Sequence, residues 1–267
     1  MAAVVVDAPE ALAQSRFPAL VSSMLVVRLH GQVVCGDAWV PPSAWISAST
    51  APKVYQHRGA VRAVGLVLRP EAAVALFANA RGLVNTVRPL PDLVGPRWPE
   101  VEQGVRAAAD DRAQLDVLYQ FVRQEIAPPS PCEARRQEAL ALLQAAHLDG
   151  DAKGQRMGLS QRQFERRFVA HWGMAPKQYK VIARLNSTLG NALSVSGGPM
   201  AALAIDEGYF DQSHMGRDVR RLAGHPLQTL VQGTRRPLTT HWPLQVGAEV
   251  QQARTPQPEE PGPTRMR

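Results

Sequence analysis

The sequence predicts an α+β protein. A β-rich amino-terminal domain is followed by an all-α domain with two helix-turn-helix units joined by a long linker helix. Three observations carry this. Short apolar runs broken by Gly and Pro fill residues 20–69. Beyond residue 133 apolar positions recur at helical spacing. The chain's net charge of +7 falls wholly within one part of that helical stretch.

A chain of 267 residues suits two modest domains. Hydrophobic content of 45% and charged content of 20% place it with folded proteins. No apolar run approaches the ~20 residues that span a bilayer. The opening, Met1 to Arg16, lacks a basic n-region and carries Asp7 and Glu10, so it does not read as a signal peptide. A cytoplasmic protein without a membrane partner is expected. Two cysteines, Cys35 and Cys132, cannot build a disulfide framework and read as reduced thiols.

Strands are expected at Met24–Leu29, Val33–Cys35, Trp45–Ala48, Lys53–Gln56 and Ala63–Leu68, separated by Gly31, Gly36, Pro41-Pro42, Pro52 and Gly59. They would form a small antiparallel sheet or barrel. Helices follow: one from Pro70 through Ala78, one from Pro99 through Ala109, and one capped by Asp110 or Asp111. Leu115, Leu118, Tyr119, Val122 and Ile126 make one face of the third. The amino-terminal domain therefore spans 1–127. Pro128, Pro129 and Pro131 mark a linker over 128–132, the helical domain covers 133–236, and a Pro/Gln-rich, disordered tail covers 237–267.

Charge sorts along the same lines. Residues 1–150 hold 14 Lys+Arg against 14 Asp+Glu; residues 151–236 hold 13 against 6; residues 237–267 hold 3 against 3. A localised positive field is the footprint of a polyanion partner.

Within that segment Ser160 and Gln163 make a capping box, and Leu159 with Phe164 a hydrophobic staple. Phe164, Phe168 and Trp172 form a buried stripe, leaving Arg162 and Arg166 on the opposite face. An arginine fork can grip guanine edges or phosphates. Gly173 ends this helix, and Pro176 opens a long one with Tyr179, Ile182, Leu185, Leu189 and Leu193 inside, stopped by Ser196-Gly197-Gly198. The pattern repeats: Pro199 starts a short helix, Gly208 turns the chain, and Asp211 caps a helix with Met215, Val219 and Leu222 inside. Gly224 and Pro226 end it. A spacer of this length can present two reading helices to neighbouring turns of one groove, ~34 Å apart.

The runs LSQRQFERRF and EGYFDQSHMGRDVRRLAGHP resemble the two helix-turn-helix units of the AraC/XylS family, over about residues 133–230. The resemblance implies a sequence-specific transcription factor that regulates promoter activity and reads the major groove with helices 161–171 and 212–222. By position the DNA contacts are Gln161, Arg162 and Arg166 in the first unit. In the second they are Gln212, Ser213, His214, Gly216, Arg217 and Arg220. It also implies a sensing amino-terminal domain for a small-molecule effector or dimerisation, with RNA polymerase and a second copy of the chain as further partners.

Three departures stand out. Lys153 and Gly154 occupy the places of a packing Leu-Ala pair behind the first reading helix, with Gly150 nearby; Val219 stands where Phe is usual; and Gly216 lies inside the second reading helix. Gly costs ~1 kcal/mol against Ala in a helix interior, so the first reading head is expected to be held more loosely than the second.

The seven histidines show no metal-ligand spacing, and no phosphate loop or nucleophile motif is present. No cofactor, metal site or enzymatic activity is expected. A repair methyltransferase with an AraC-like module would need an activated cysteine in an electropositive pocket; Cys35 sits in an apolar run and Cys132 in the Pro-rich linker. The alternative is a ligand- or protein-binding sensor with a weakened first head and low DNA affinity.

Overall fold

The computed structural model describes residues 1–76, 82, 84–126, 133–146, 148, 152–194 and 199–234. The linker over 128–132, the stop at 196–198, Gly150 and the tail from 237 lie outside these residues.

Among the described residues seven strands form one antiparallel sheet: β1 (Ala2–Ala8), β2 (Gln14–Phe17), β3 (Ser23–Cys35), β4 (Ala38–Trp39), β5 (Ser43–Ile46), β6 (Lys53–Leu68) and β7 (Val87–Pro89). The order is β1-β6-β3-β5-β7, with β2 on β6 and β4 on β3. Four of the five predicted runs merge into two long strands, β3 and β6, paired Ser23 with Leu68 through Cys35 with Tyr55. Gly31 bends β3 instead of ending it. The register shifts on both sides of His30, Gly31 takes φ +78°, and a Cβ there would stand 2.2 Å from the Ala60 carbonyl oxygen. β1, β2, β4 and β7 lie outside the predicted runs.

Side-chain alternation along β3 gives the sheet two working faces. Leu25 and Val27 turn toward Trp45, Leu66, Leu90, Trp98, Leu118 and Val122. Met24, Val26 and Arg28 turn the other way, into a cavity that the sheet curls around. The first face is covered by α1 (Pro70–Leu76), α2 (Leu90–Val94), α3 (Trp98–Ala107) and α4 (Asp111–Ile126). The Asp110 carboxylate accepts from the Ala113 N–H at 2.8 Å, as a cap should. The inner positions of α4 are Leu118, Phe121 and Val122; Tyr119 is half-buried beneath Arg123.

The helical half comprises α5 (Glu133–Ala146), α6 (Ala152–Arg156), α7 (Gln161–Trp172), α8 (Pro176–Ser194), α9 (Met200–Asp206), α10 (Gln212–Ala223) and α11 (Leu227–Thr234). Its core joins Leu142, Phe164, Phe168, Ile182, Leu185, Val219 and Leu222, and takes in Ala19 and Val74 from the sheet half. No helix of the described residues is long and apolar enough to cross a membrane.

Candidate nucleic-acid interface

The first candidate reading helix is α7. The Ser160 hydroxyl accepts from the Gln163 N–H at 3.3 Å, and the Gln163 side-chain oxygen accepts from the Ser160 N–H at 2.9 Å. The predicted capping box is therefore closed in both directions. Phe164, Phe168 and Trp172 are buried one above the other, with ring centroids 6.0 and 6.2 Å apart. Tyr179 of α8 meets Phe168 edge-on at 5.7 Å, and the Trp172 indole donates to the Ala139 carbonyl at 3.2 Å. This anchoring leaves Arg162 and Arg166 exposed on the other side, and Gln161 is exposed at the helix start. The Gln161 amide donates to Glu165 at 2.6 Å, while Arg167 and His171 reach Glu138 of α5.

The second is α10. The Asp211 carboxylate accepts from the His214 N–H at 2.6 Å, and Gly224 closes the helix with φ +78°. Met215, Val219, Leu222 and Ala223 are buried. Gln212, Ser213, Arg217 and Arg220 are exposed, and the space beside Gly216 is open. Val219 is fully buried in the place where Phe is usual.

His214 differs from its neighbours. Its ring stands edge-on to Tyr209 at 5.4 Å, and its Nε2 lies 3.7 Å from Asp218. It has partners within the unit, whereas Gln212 and Ser213 have no side-chain hydrogen bond among the described residues.

Sequence reasoning missed the groups that hold α10 in place. Arg184 of α8 donates to Asp218 at 3.1 Å and to the Gly208 carbonyl at 3.0 Å, and its guanidinium stacks over Tyr209 at 4.1 Å. Burial raises the Tyr209 phenol above its ordinary value, with Arg184 opposing. Asp218 also accepts from Arg221 at 3.0 Å. The Asp218–Arg221 spacing is a local signal; Arg184 lies 34 positions upstream of Asp218 and carries none.

Gly154 corrects an expectation. It is buried, and a Cβ there would stand 2.3 Å from the Leu159 carbonyl oxygen, too close for any side chain. The Gly154 carbonyl accepts from Leu159 at 2.8 Å, so α6 and the start of α7 touch backbone to backbone at this residue. Glycine is what allows the close turn, and it is not a packing defect. The Lys153 side chain lies outside those described.

Residues 154–232 match a family model described as "Helix-turn-helix domain". No curated protein matches the chain significantly in sequence. Among solved structures the chain is similar to ToxT from Vibrio cholerae in its P21 form, with 6% identity, TM-score 0.46, and coverage of 84% of this chain and 95% of that one. It is likewise similar to unsaturated fatty acid bound wild-type ToxT from strain SCE256, with 7% identity, TM-score 0.48, and coverage of 86% and 94%. A third is ToxT from strain O395 bound to (E)-4-(8-methylnaphthalen-1-yl)but-3-enoic acid, with 8% identity, TM-score 0.46, and coverage of 84% and 95%.

Proposed function

We propose, from the premise that residues 154–232 form an AraC-type helix-turn-helix domain, that this DNA-binding transcription regulator reads promoter DNA with two helices and is modulated through its amino-terminal half. The observation that carries the reading is the pairing of exposed arginines on two separately capped helices, within the segment that holds the whole net charge of +7. Arg162 and Arg166 serve the first helix, and Arg217 and Arg220 the second; Gln161, Gln212 and Ser213 add amide and hydroxyl groups at the helix starts, where base edges are met. His214 belongs to the same turn, and Gly216 permits close approach of the helix. RNA polymerase and a second copy of the chain are the further partners this reading expects. The domain division at 127 and 133 belongs to the same reading.

The effector site fits the cavity inside the curled sheet, of about 80 Å³. Its walls are apolar, among them Val4, Phe17, Met24, Val26 and Tyr55. Three polar side chains enter it. The Arg28 guanidinium donates to the Val40 carbonyl at 2.9 Å, but its buried Nη1 has no hydrogen-bond partner among the described residues. Burial lowers its pKa, and Arg106 lowers it further. His57 Nδ1 lies 2.7 Å from the Leu12 carbonyl and so carries the proton, which leaves Nε2 to accept from Ser15 at 3.0 Å. A small apolar molecule with an acceptor for Arg28 suits this lining.

A strap links cavity and helix. Ser15 and Phe17 of β2 line the cavity. Between them Arg16 reaches His225, after α10, at 2.7 Å. The Ala19 N–H donates to the Leu222 carbonyl at 2.7 Å. Asn186 of α8 grips the strap by donating to the Ala19 carbonyl at 2.8 Å and accepting from the Val21 N–H at 3.1 Å. A ligand that moves β2 therefore pulls on the end of the second reading helix.

The test is the affinity of the full chain for duplex DNA carrying promoter sequence, measured at rising salt. Several phosphate contacts give a log–log slope of several units, at ~0.9 per contact. A flat dependence favours the sensor of low DNA affinity.

A further inference from the structure

Phe210 is 87% exposed, the most open large apolar side chain among those described. It lies immediately before Asp211, the cap of α10. In that place a hydrophobe ordinarily staples against the fourth helical residue, here Met215. The first unit follows the rule: Leu159 precedes the Ser160 cap, is half-buried against the helical core, and Phe164 is fully buried. In the second unit Met215 is buried without Phe210, and Tyr209 fills the inner side of the turn. Phe210 therefore adds nothing to the fold's core and places a whole ring in water, at the start of the helix that carries Gln212, Ser213 and Arg217.

We infer that Phe210 is a base-reading residue that packs on the 5-methyl group of a thymine in the major groove. This rests on the DNA-binding reading above. A recognition helix enters the groove with its first residues deepest, and the thymine methyl is the apolar group exposed there, one that Phe can contact. The positive charge of residues 151–236 and the exposed arginines of α10 favour duplex DNA over an apolar protein partner as the group that covers the ring.

The full chain is used to select duplexes from a random-sequence library. Each preferred thymine of a selected site is then replaced in turn by deoxyuridine, which removes only the methyl. Wild type should lose about fourfold in affinity at one thymine of the second unit's half-site, the worth of one buried methyl. Phe210→Ala should bind thymine and deoxyuridine equally at that position, and Phe210→Leu should keep part of the difference. Because the ring is exposed, the Ala variant should melt with wild type. If Phe210→Ala keeps wild-type affinity, or keeps the full deoxyuridine effect, or weakens every duplex alike, thymine reading by Phe210 is overturned. If wild type enriches no sequence and binds no duplex, the DNA-binding reading falls, and this one with it.

Discussion

Arg184, on the long helix between the two units, donates to Asp218 in the middle of the second reading helix at 3.1 Å, and stacks on Tyr209 at 4.1 Å. One guanidinium thus ties α10 both to the turn before it and to α8. The Asp218 side chain is 13% exposed and that of Arg184 25%, so removing the arginine leaves a mostly buried carboxylate with the exposed Arg221 as its remaining close cation. Arg184→Ala should cost about 2 kcal/mol, below the ~3–5 of a fully buried pair. Arg184→Lys should recover little, because an ammonium cannot bridge Gly208 and Asp218 while stacking on the ring. Denaturant unfolding measures the cost; a wild-type midpoint in Arg184→Lys would show that charge alone suffices.

Arg217 and Arg221 should separate base reading from backbone attraction. Arg221 is held by Asp218 at 3.0 Å, whereas Arg217 is exposed and enters no ion pair among the described residues. Arg217→Ala should cost ~1–3 kcal/mol on the preferred site and relax preference at one position. Arg221→Ala should weaken all duplexes alike. Binding to a panel of single-base variants checks both, and unchanged preference in Arg217→Ala would reduce that residue to a phosphate contact.

Gly154→Ala tests the close approach of two backbones. Helix propensity favours the change by ~1 kcal/mol. The new methyl would lie 2.3 Å from the Leu159 oxygen, and the carbonyl cannot retreat without breaking its neighbour's cap. The clash should win, lowering the melting temperature and weakening DNA binding through the first unit. A variant that melted higher than wild type would return Gly154 to the status of a defect.

The legible parts of the molecule were those written in local spacing. The Ser160/Gln163 box, the Phe164–Phe168–Trp172 stripe, the Asp211 cap and Gly224 follow from residues at most a few turns apart, and the structure has them all. What failed was non-local. Ala2–Ala8 shows itself as a strand through its pairing with Val61–Val67, a partner far away in the chain. Gly31 and Gly59 look like strand ends, yet Gly31 serves a bend inside one strand because the partner backbone crosses beside it. Gly154 invited the same misreading. The strap is invisible in sequence, since Arg16 and His225 are separated by 209 positions.

Acid should loosen the sheet before the helices. Burial holds His57 below its ordinary value near 6.5, opposed by its bond to Leu12. The folded state thus binds this proton less readily than the unfolded chain. The contribution of the neutral ring is complete above pH 6.5 and is lost as pH falls from there through the lowered folded value. His57→Gln should flatten the stability profile over that window, followed by unfolding at a series of pH values. An equally steep loss in the variant would place the sensitivity elsewhere.

Asn186→Ala tests whether the strap holds the second reading helix. The side chain makes two hydrogen bonds to strap backbone, and both are lost together. At ~1 kcal/mol each, the expected cost is about 2 kcal/mol. The same strap holds the Leu222 carbonyl through the Ala19 N–H, on the buried side of α10 and away from Arg217. Releasing it does not uncover the reading face; it frees the far end of the helix to move. Amide exchange should therefore rise over residues 16–21 and 219–224 and stay unchanged over 161–172. DNA affinity should fall, since a helix free to pivot must be ordered again on binding. Arg16→Ala should give a weaker version of the same result, losing only the His225 contact. A gain in DNA affinity in Asn186→Ala would reverse the sign, making the strap a restraint that holds the helix out of register with the groove. Unchanged exchange at 219–224 would mean that the helix is fixed without the strap, by Arg184, the Asp211 cap and its buried stripe.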